Sequence, residues 1–188
     1  MGIGDVAKQA QAGLIAGQIT TTQKEAFFIE GKAFTQSEIH TLGAGEVKNF
    51  IISPKNYAPD AEQIYNRIFL EIPTMTSTDG PLRLEFFNSP VITTPGASLT
   101  MPSFNRDSAN LRTAQLELTQ DPILSSPGDP VSQLLLPTSA AGVNISSAAV
   151  GPSPLPYGLK NDEDTLFRVT NQGGAGNQVE IRLYWYEI

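Results

Sequence analysis

From Glu25 onward the chain alternates apolar and polar residues with a period of two. The pattern begins in "EAFFIEGKAF". It recurs in "EVKNFIIS" (Glu46–Ser53), "RIFLEI" (Arg67–Ile72), "LRLEFF" (Leu82–Phe87), "AQLELT" (Ala114–Thr119), "SQLLL" (Ser132–Leu136), "TLFRVT" (Thr165–Thr170) and "QVEIRLYWYEI" (Gln178–Ile188). These segments are short, mostly rich in β-branched and aromatic residues, and bounded by Gly, Pro, Asn or Asp, which predicts strands. In the last one Val179, Ile181, Leu183 and Trp185 share one face, while Glu180, Arg182, Tyr184 and Tyr186 share the other. Such a strand buries one face and offers the second to water or to a partner. No sustained 3.6-residue period competes: "APDAEQIYNRIF" offers a helical start at Asp60 that nothing extends. Many short strands joined by Gly/Pro turns predict an all-β fold, a β-sandwich of the jelly-roll kind, over residues 25–188.

Two stretches break the pattern in the same way. "NSPVITTPG" (Asn88–Gly96) and "QDPILSSPG" (Gln120–Gly128) each hold Pro, two branched or aliphatic residues, two hydroxyl residues, then Pro-Gly, at an offset of 32 residues. Proline cannot donate to a strand ladder, so Pro90 and Pro122 belong at an edge, a strand start or a bulge. Pro95-Gly96 and Pro127-Gly128 suit the central positions of a type II turn, whose second residue needs a positive φ. The two copies therefore read as equivalent turns at one end of two related hairpins.

Residues 1–24 are rich in Gly, Ala, Gln and Thr and carry only Asp5, Lys8 and Lys24 as charges. Gly13 and Gly17 weaken any helix there, by up to about 1 kcal/mol each relative to alanine. The segment reads as an arm separate from the core, with Ile3, Val6, Leu14, Ile15 and Ile19 as its contact residues. Between Pro122 and Leu159 the only charge is Asp129, and half of the chain's 14 prolines fall there. A stretch so poor in charge is a poor solvated linker, and long loops of this sort are functional or packed against something. Leu135, Leu136, Val143 and Ile145, with Tyr184 and Tyr186 on the last strand, are the expected contacts with another subunit or partner.

Charge and composition narrow the function. The net charge is −7, and the 12 Lys and Arg residues are scattered rather than gathered on a stripe, so a nucleic-acid partner is not expected. No apolar run approaches the roughly 18 residues of a membrane span, and the N-terminus has neither a signal-peptide core nor the myristoylation pattern, so no membrane partner is expected. The absence of cysteine removes disulfides and every thiolate site.

The search for chemistry returns no active site. His40 is the only histidine and no "GxSxG" elbow accompanies it, so it reads as structural or exposed. "GIGDVA" has no strand before it, and "NQGGAGNQ" (Asn171–Gln178) lacks the Lys and Ser/Thr of a phosphate loop; the latter reads as the turn between the last two strands. "NDED" (Asn161–Asp164) lacks the alternate ligands of a calcium loop and reads as a solvated turn. Glu71 and Glu85 lie on neighbouring strands as a glycosidase pair would, yet each alternates with apolar residues as ordinary outward side chains do. No enzyme activity, cofactor or metal is expected.

One resemblance rests on particular residues. "FFNSPVITTPGASLTMPSFNRDSANL" with its Asn105-Arg106 segment, the second Pro-Gly turn in "DPILSSPG", and the closing "TLFRVTNQGGAGNQVEIRLYWYEI" with Arg168, Thr170, Asn171 and Trp185-Tyr186-Glu187 resemble capsid decoration, or cement, proteins of tailed bacteriophages. The likeness spans roughly Arg67–Ile188. It departs at "SPLPYGLKNDED", which lacks the tryptophan expected before the penultimate strand, and it does not extend to the first 66 residues. The resemblance implies a homotrimer on the outer surface of the virion head, made in the host cytoplasm, that staples neighbouring copies of the major capsid protein together. A rival reading is a head-fibre or tail-associated receptor- or glycan-binding protein using Tyr57, Tyr157 and Tyr184. If the arm lies along the shell and orders on contact, removing residues 1–24 is expected to reduce co-sedimentation with capsids while circular dichroism of the fold stays unchanged. Unaltered capsid binding would refute that role.

Overall fold

The computed structural model describes residues 30, 32–54, 68–70, 74–77, 80–101, 114–136, 157–159 and 163–187. The arm residues Ile3, Val6, Leu14, Ile15 and Ile19, the helical start at Asp60, and Tyr57, Glu71, Val143 and Ile145 lie outside them. The described residues are all β, with no helix. In chain order the strands are β1 (Ala33–Leu42), β2 (Val47–Pro54), β3 (Ile68–Leu70), β4 (Thr74–Ser77), β5 (Leu82–Asn88), β6 (Val91–Thr94), β7 (Ala97–Ser98), β8 (Leu116–Gln120), β9 (Ile123–Ser126), β10 (Asp129–Leu136), β11 (Tyr157–Leu159), β12 (Thr165–Asn171) and β13 (Asn177–Glu187).

All the strand pairs are antiparallel, and they build three sheets. The first runs β1-β13-β3-β11, with β4 also paired to β13; the second runs β10-β5-β12-β2-β8-β7; the third is the pair β6-β9. One core lies between the first two. The first sheet supplies Phe34, Leu42, Ile68, Leu70, Leu159 and the row Val179, Ile181, Leu183 and Trp185; the second supplies, among others, Phe50, Ile52, Leu82, Leu84, Leu118, Phe167 and Val169. The alternation along β13 is what permits this: its odd positions are buried while Glu180, Tyr184 and Tyr186 are partly exposed and Arg182 is exposed. Phe34 stacks on Trp185 with centroids 5.6 Å apart, and Phe167 sits between Phe50 and Phe86 at 5.9 and 4.9 Å. Aromatic pairs at these separations add to the burial of their own area.

The second sheet is covered on its other side too. Along β2 the run Phe50–Pro54 is buried at every position, which a one-sided sheet would not allow. Ile51, Leu166 and Phe87, which point away from the main core, form a small second cluster against Ile92 and Leu124. Those two residues belong to β6 and β9 and face each other across that pair. The β6-β9 ribbon therefore lies on the back of the six-stranded sheet, over β5, β12 and β2.

The two copies of the repeat make this ribbon together. Residues 82–98 run antiparallel to residues 116–136 through three successive pairs, β5 with β10, β6 with β9 and β7 with β8. The chain leaves the large sheet after β5, crosses its back as β6, and rejoins it as β7; the second copy makes the reverse journey. The expectation of one hairpin per copy is thus corrected: each copy finds its partner in the other, because both run the same length from kink to closing glycine and an antiparallel pairing then sets each kink beside the other's glycine.

Each kink uses the same backbone device. Ser89 and Asp121, at matching places in the repeat, have positive φ of 52° and 56°, a conformation costing a non-glycine residue about 1–2 kcal/mol. Hydrogen bonds offset that cost. The Ser89 N–H donates to the Asp164 carbonyl at 3.0 Å and its hydroxyl to Glu163 at 2.7 Å. The Asp121 N–H donates to the Asn49 carbonyl at 3.0 Å, and its carboxylate pairs with Lys48. Glu163 and Asp164, expected to be a solvated turn, are instead a clamp on the kink; Asp164 also accepts from the Ser53 hydroxyl. Pro90 and Pro122 stand just before β6 and β9, where no ladder donor is needed.

The glycines of the repeat are needed for different reasons. Gly128 has φ +90° as a type II turn asks, but Gly96 does not take a positive φ, which corrects the expected turn at Pro95-Gly96. What both share is close approach: a Cβ on Gly96 would collide with the Gln120 carbonyl, and one on Gly128 with the Asn88 carbonyl. Each copy's closing glycine thus touches the opening residue of the other copy. Gly96→Ala and Gly128→Ala are each expected to destabilise the protein by about 2 kcal/mol or more, seen as lower urea midpoints. Gly174→Ala, with open space around its Cβ, should stay within about 0.5 kcal/mol of the wild type.

Candidate interaction surface

The strands fix which side chains share the back of the six-stranded sheet. Register places Pro130, Phe87, Leu166, Ile51 and Thr119 in one row across β10, β5, β12, β2 and β8, and the ribbon covers its centre. The next row reads Gln133, Glu85, Arg168 and Asn49, and the one after it Leu135, Arg83, Thr170 and Val47. The ribbon's described apolar contacts stop at the first row; in the other two Leu135 and Val47 are exposed at the ends, while Thr170 and the Glu85 side chain between them are largely buried.

The half outside the ribbon carries exposed apolar ends around a largely buried, charged middle. Leu135 on β10 is 59% exposed and Val47 on β2 is 43% exposed. Between them Arg83 lies 3.4 Å from Glu85, and Arg168 donates from Nε to the Asn49 side chain at 3.0 Å while its guanidinium sits 5.1 Å over the Phe87 ring. Arg83 Nε and Glu85 Oε2 are the two atoms of that ion pair and are buried against each other; Thr170 Oγ1 is buried without a hydrogen-bond partner, which is uncommon. Glu85, the described member of the Glu71/Glu85 pair that reads as ordinary outward side chains, is engaged with Arg83.

The ribbon forms a second exposed surface. With Ile92 and Leu124 turned toward the sheet, Val91 and Ile123 are turned to solvent, 54% and 61% exposed, alongside the exposed Thr93 and Ser125. Pro90–Gly96 and Pro122–Gly128 contain no charged residue. The ribbon is therefore an uncharged ledge on the outside of the molecule. Sequence reasoning singled out the prolines and glycines that shape it and missed the residues it displays; the alternation within "VITT" and "ILSS" was the available signal.

The expected contact residues separate. Leu135 is exposed, but Leu136 is 2% exposed and belongs to the main core, which corrects its assignment: successive strand residues point to opposite faces, so the two leucines cannot serve one surface. Tyr184 and Tyr186 lie on the outer face of β13, partly exposed, opposite Thr35 and Ala33 of β1. They share neither the half of the sheet's back outside the ribbon nor the ribbon itself. The outer face of β13 also carries Glu180, which accepts from Arg182 and from the Ser37 hydroxyl, and Ile39 of β1 lies exposed opposite Glu180.

Among the described residues no group of three or more His, Asp or Glu side chains is placed to hold a metal ion. His40 packs against the Phe50 ring at 5.7 Å, with Nε2 buried and without a partner. Burial is the main cause that lowers its pKa from 6.5, and the charge of Lys48 lowers it further, against smaller opposing effects from Glu38 and Asp121. The folded protein thus resists protonating His40, while the unfolded chain takes up the proton near 6.5. Stability from this group is complete above 6.5 and falls as the pH drops from 6.5 to the lower folded-state value. The urea midpoint is expected to fall through that window, and His40→Gln to flatten the slope; an unchanged slope in the variant would exclude His40 as its source.

No family model matches the chain, and no curated protein matches it significantly; what this surface does is read from its own residues.

Proposed function

We propose that the protein is a capsid decoration protein: a jelly-roll β-sandwich that binds the outside of a bacteriophage head as a homotrimer and stabilises the major capsid protein lattice. The observation that carries the reading is the β6-β9 ribbon. An isolated two-stranded ribbon is marginal in water. Here both ends are locked by positive-φ kinks, clamped by Glu163, Asp164 and Lys48, and closed by glycines against carbonyls. That construction holds an uncharged, partly apolar ledge rigid on the exterior, which suits repeated contact with identical sites on a shell better than it suits catalysis.

Two further features agree. The pairing of residues 82–98 with 116–136 through three antiparallel strand pairs makes one long hairpin, which is compatible with a double-sheet fold of the jelly-roll kind. The segments that carry the resemblance, the two Pro-Gly copies and the last two strands, form one structural unit, since β12 underlies the ribbon and β13 closes the main core. Ledge contacts of moderate strength suffice, because a protein that binds only the assembled lattice stabilises it by mass action.

Quantitative mass spectrometry of gradient-purified particles tests the reading. Many copies in a simple ratio to the major shell protein are expected; a handful would favour the fibre or tail alternative, and none would remove the virion role. Val91→Glu and Ile123→Glu, both on the exposed ledge, should weaken rebinding to stripped heads by about tenfold or more with unchanged melting. Wild-type rebinding by both variants would show that the ledge is not the contact.

A further inference from the structure

The β6-β9 ribbon is fastened differently at its two ends. At the Ser89 kink the fasteners are the Asp164 carbonyl and the Glu163 carboxylate. At the Asp121 kink they are the Asn49 carbonyl and the Lys48 ammonium. Lys48 also belongs to the inside of the sandwich: it alternates with Phe50 and Ile52 on β2, and its side chain is only 15% exposed. His40 comes toward the same place from the other sheet, because the even positions of β1 turn inward with Phe34 and Leu42. Its ring lies against Phe50. Gln120, the last residue of β8, stands beside Phe50 in register, on the core side with Leu116 and Leu118. His40 Nε2 and Gln120 Oε1 are both buried without a hydrogen-bond partner. The two therefore do not bond to each other in this conformation, and an imidazolium here would find no acceptor for Nε2.

We infer that His40 is a proton-sensitive lock on the second kink: beside a neutral imidazole Lys48 stays on Asp121 and that end of the ribbon is closed, and beside an imidazolium the Asp121 end opens while the Ser89 end stays shut. The charged groups that act on the imidazole are Lys48 on β2, Glu38 on its own strand and Asp121 at the kink. From β13 the residue in register is Val179, which is apolar. Burial and the Lys48 charge oppose the imidazolium and outweigh the pull of Glu38 and Asp121, so the closed form holds the His40 pKa below 6.5. A local opening that draws Lys48 away and lets water reach the ring takes the proton more readily. Closure is thus complete above 6.5 and weakens as the pH falls toward the closed-form value. The kink is where opening is easiest. β1 is held to β13 over ten residue pairs, and β2 lies between β12 and β8. Asp121 lies just past the β8 ladder at a positive φ, held by one main-chain hydrogen bond and the Lys48 pair. Segments with so few bonds open before the strands they join.

The lock concerns the ribbon itself and does not rest on the capsid reading. The two kinks supply a matched pair of probes, since the Asp121 N–H and the Ser89 N–H each donate to one carbonyl at 3.0 Å. The test is hydrogen exchange of the full chain, resolved by residue at pH 7.5 and 5.5 and expressed as protection factors, so that the chemical pH dependence divides out. The Asp121 amide is expected to be less protected than those of β13, because it opens locally, and to lose about threefold or more of its protection on going to pH 5.5. The Ser89 amide should keep its protection, and His40→Gln should abolish the response at Asp121. Four results would overturn the inference: protection at Asp121 equal to that of β13, no change there between the two pH values, an equal loss at Ser89, or a loss at Asp121 that persists in His40→Gln. The comparison of the two kinks within the wild type needs no variant, so it decides the matter even if His40→Gln does not fold. None of these results bears on particle copy number, so failure here is separable from failure of the decoration reading.

Discussion

Two contacts between glycine and a carbonyl hold the layers of this protein in place. Gly96 lies against Gln120, and Gly128 against Asn88. With a side chain at either point the main chains would have to part, and the kink that takes the chain off the large sheet would open. Because each contact joins the end of one copy of the repeat to the start of the other, the two kinks close together. The ribbon between them is pinned at both ends without a disulfide or a metal.

From this follows the unusual burial of the six-stranded sheet. β2 and β12 are covered on both faces over part of their length, by the main core in front and by Ile92 and Leu124 behind. Each large apolar side chain taken out of water contributes about 1.5–3 kcal/mol, so the second cluster of Ile51, Phe87 and Leu166 is a material share of a domain's net stability. Beyond the ribbon the residues on this face change character at once, from Leu166 and Ile51 to Arg168 and Asn49.

Polar groups do the joining at the sheet ends, where Asn171 and Glu187 are buried and hydrogen-bonded. Asn171, fully buried, has its side-chain nitrogen 3.2 Å from the Leu42 carbonyl and 2.9 Å from those of Gly43 and Ala175, while its oxygen accepts from the Gly173 N–H. It fastens the β1–β2 connection to the turn before β13. At the other end Glu187 accepts from Trp185 Nε1 at 3.0 Å and from the Gln115 N–H at 2.8 Å. Two residues that stood out only as members of a motif thus tie the first sheet to the second.

The strands and their buried faces were legible in the chain because a period of two states which side chains meet a core, as β13 and β5 illustrate. The repeat was legible as well, since Pro, Gly and hydroxyl residues recur at one spacing and each has a local conformational meaning. What the repeat pairs with was not. Local propensity is the same whether "VITT" meets its own hairpin or "ILSS" from the other copy, and only the register of β5 with β10 and of β7 with β8 selects the latter. Gly96 shows the same limit: Pro-Gly predicts a positive φ, whereas the residue is needed for proximity to a carbonyl 24 positions on. Leu135 and Leu136 are chemically alike in sequence, and alternation about one core makes the first a surface residue and the second a core residue. Sequence by itself determined the elements, the inward faces and the kinks; tertiary structure decided the partners and the exposed surfaces, because those depend on contacts between segments that no local pattern encodes.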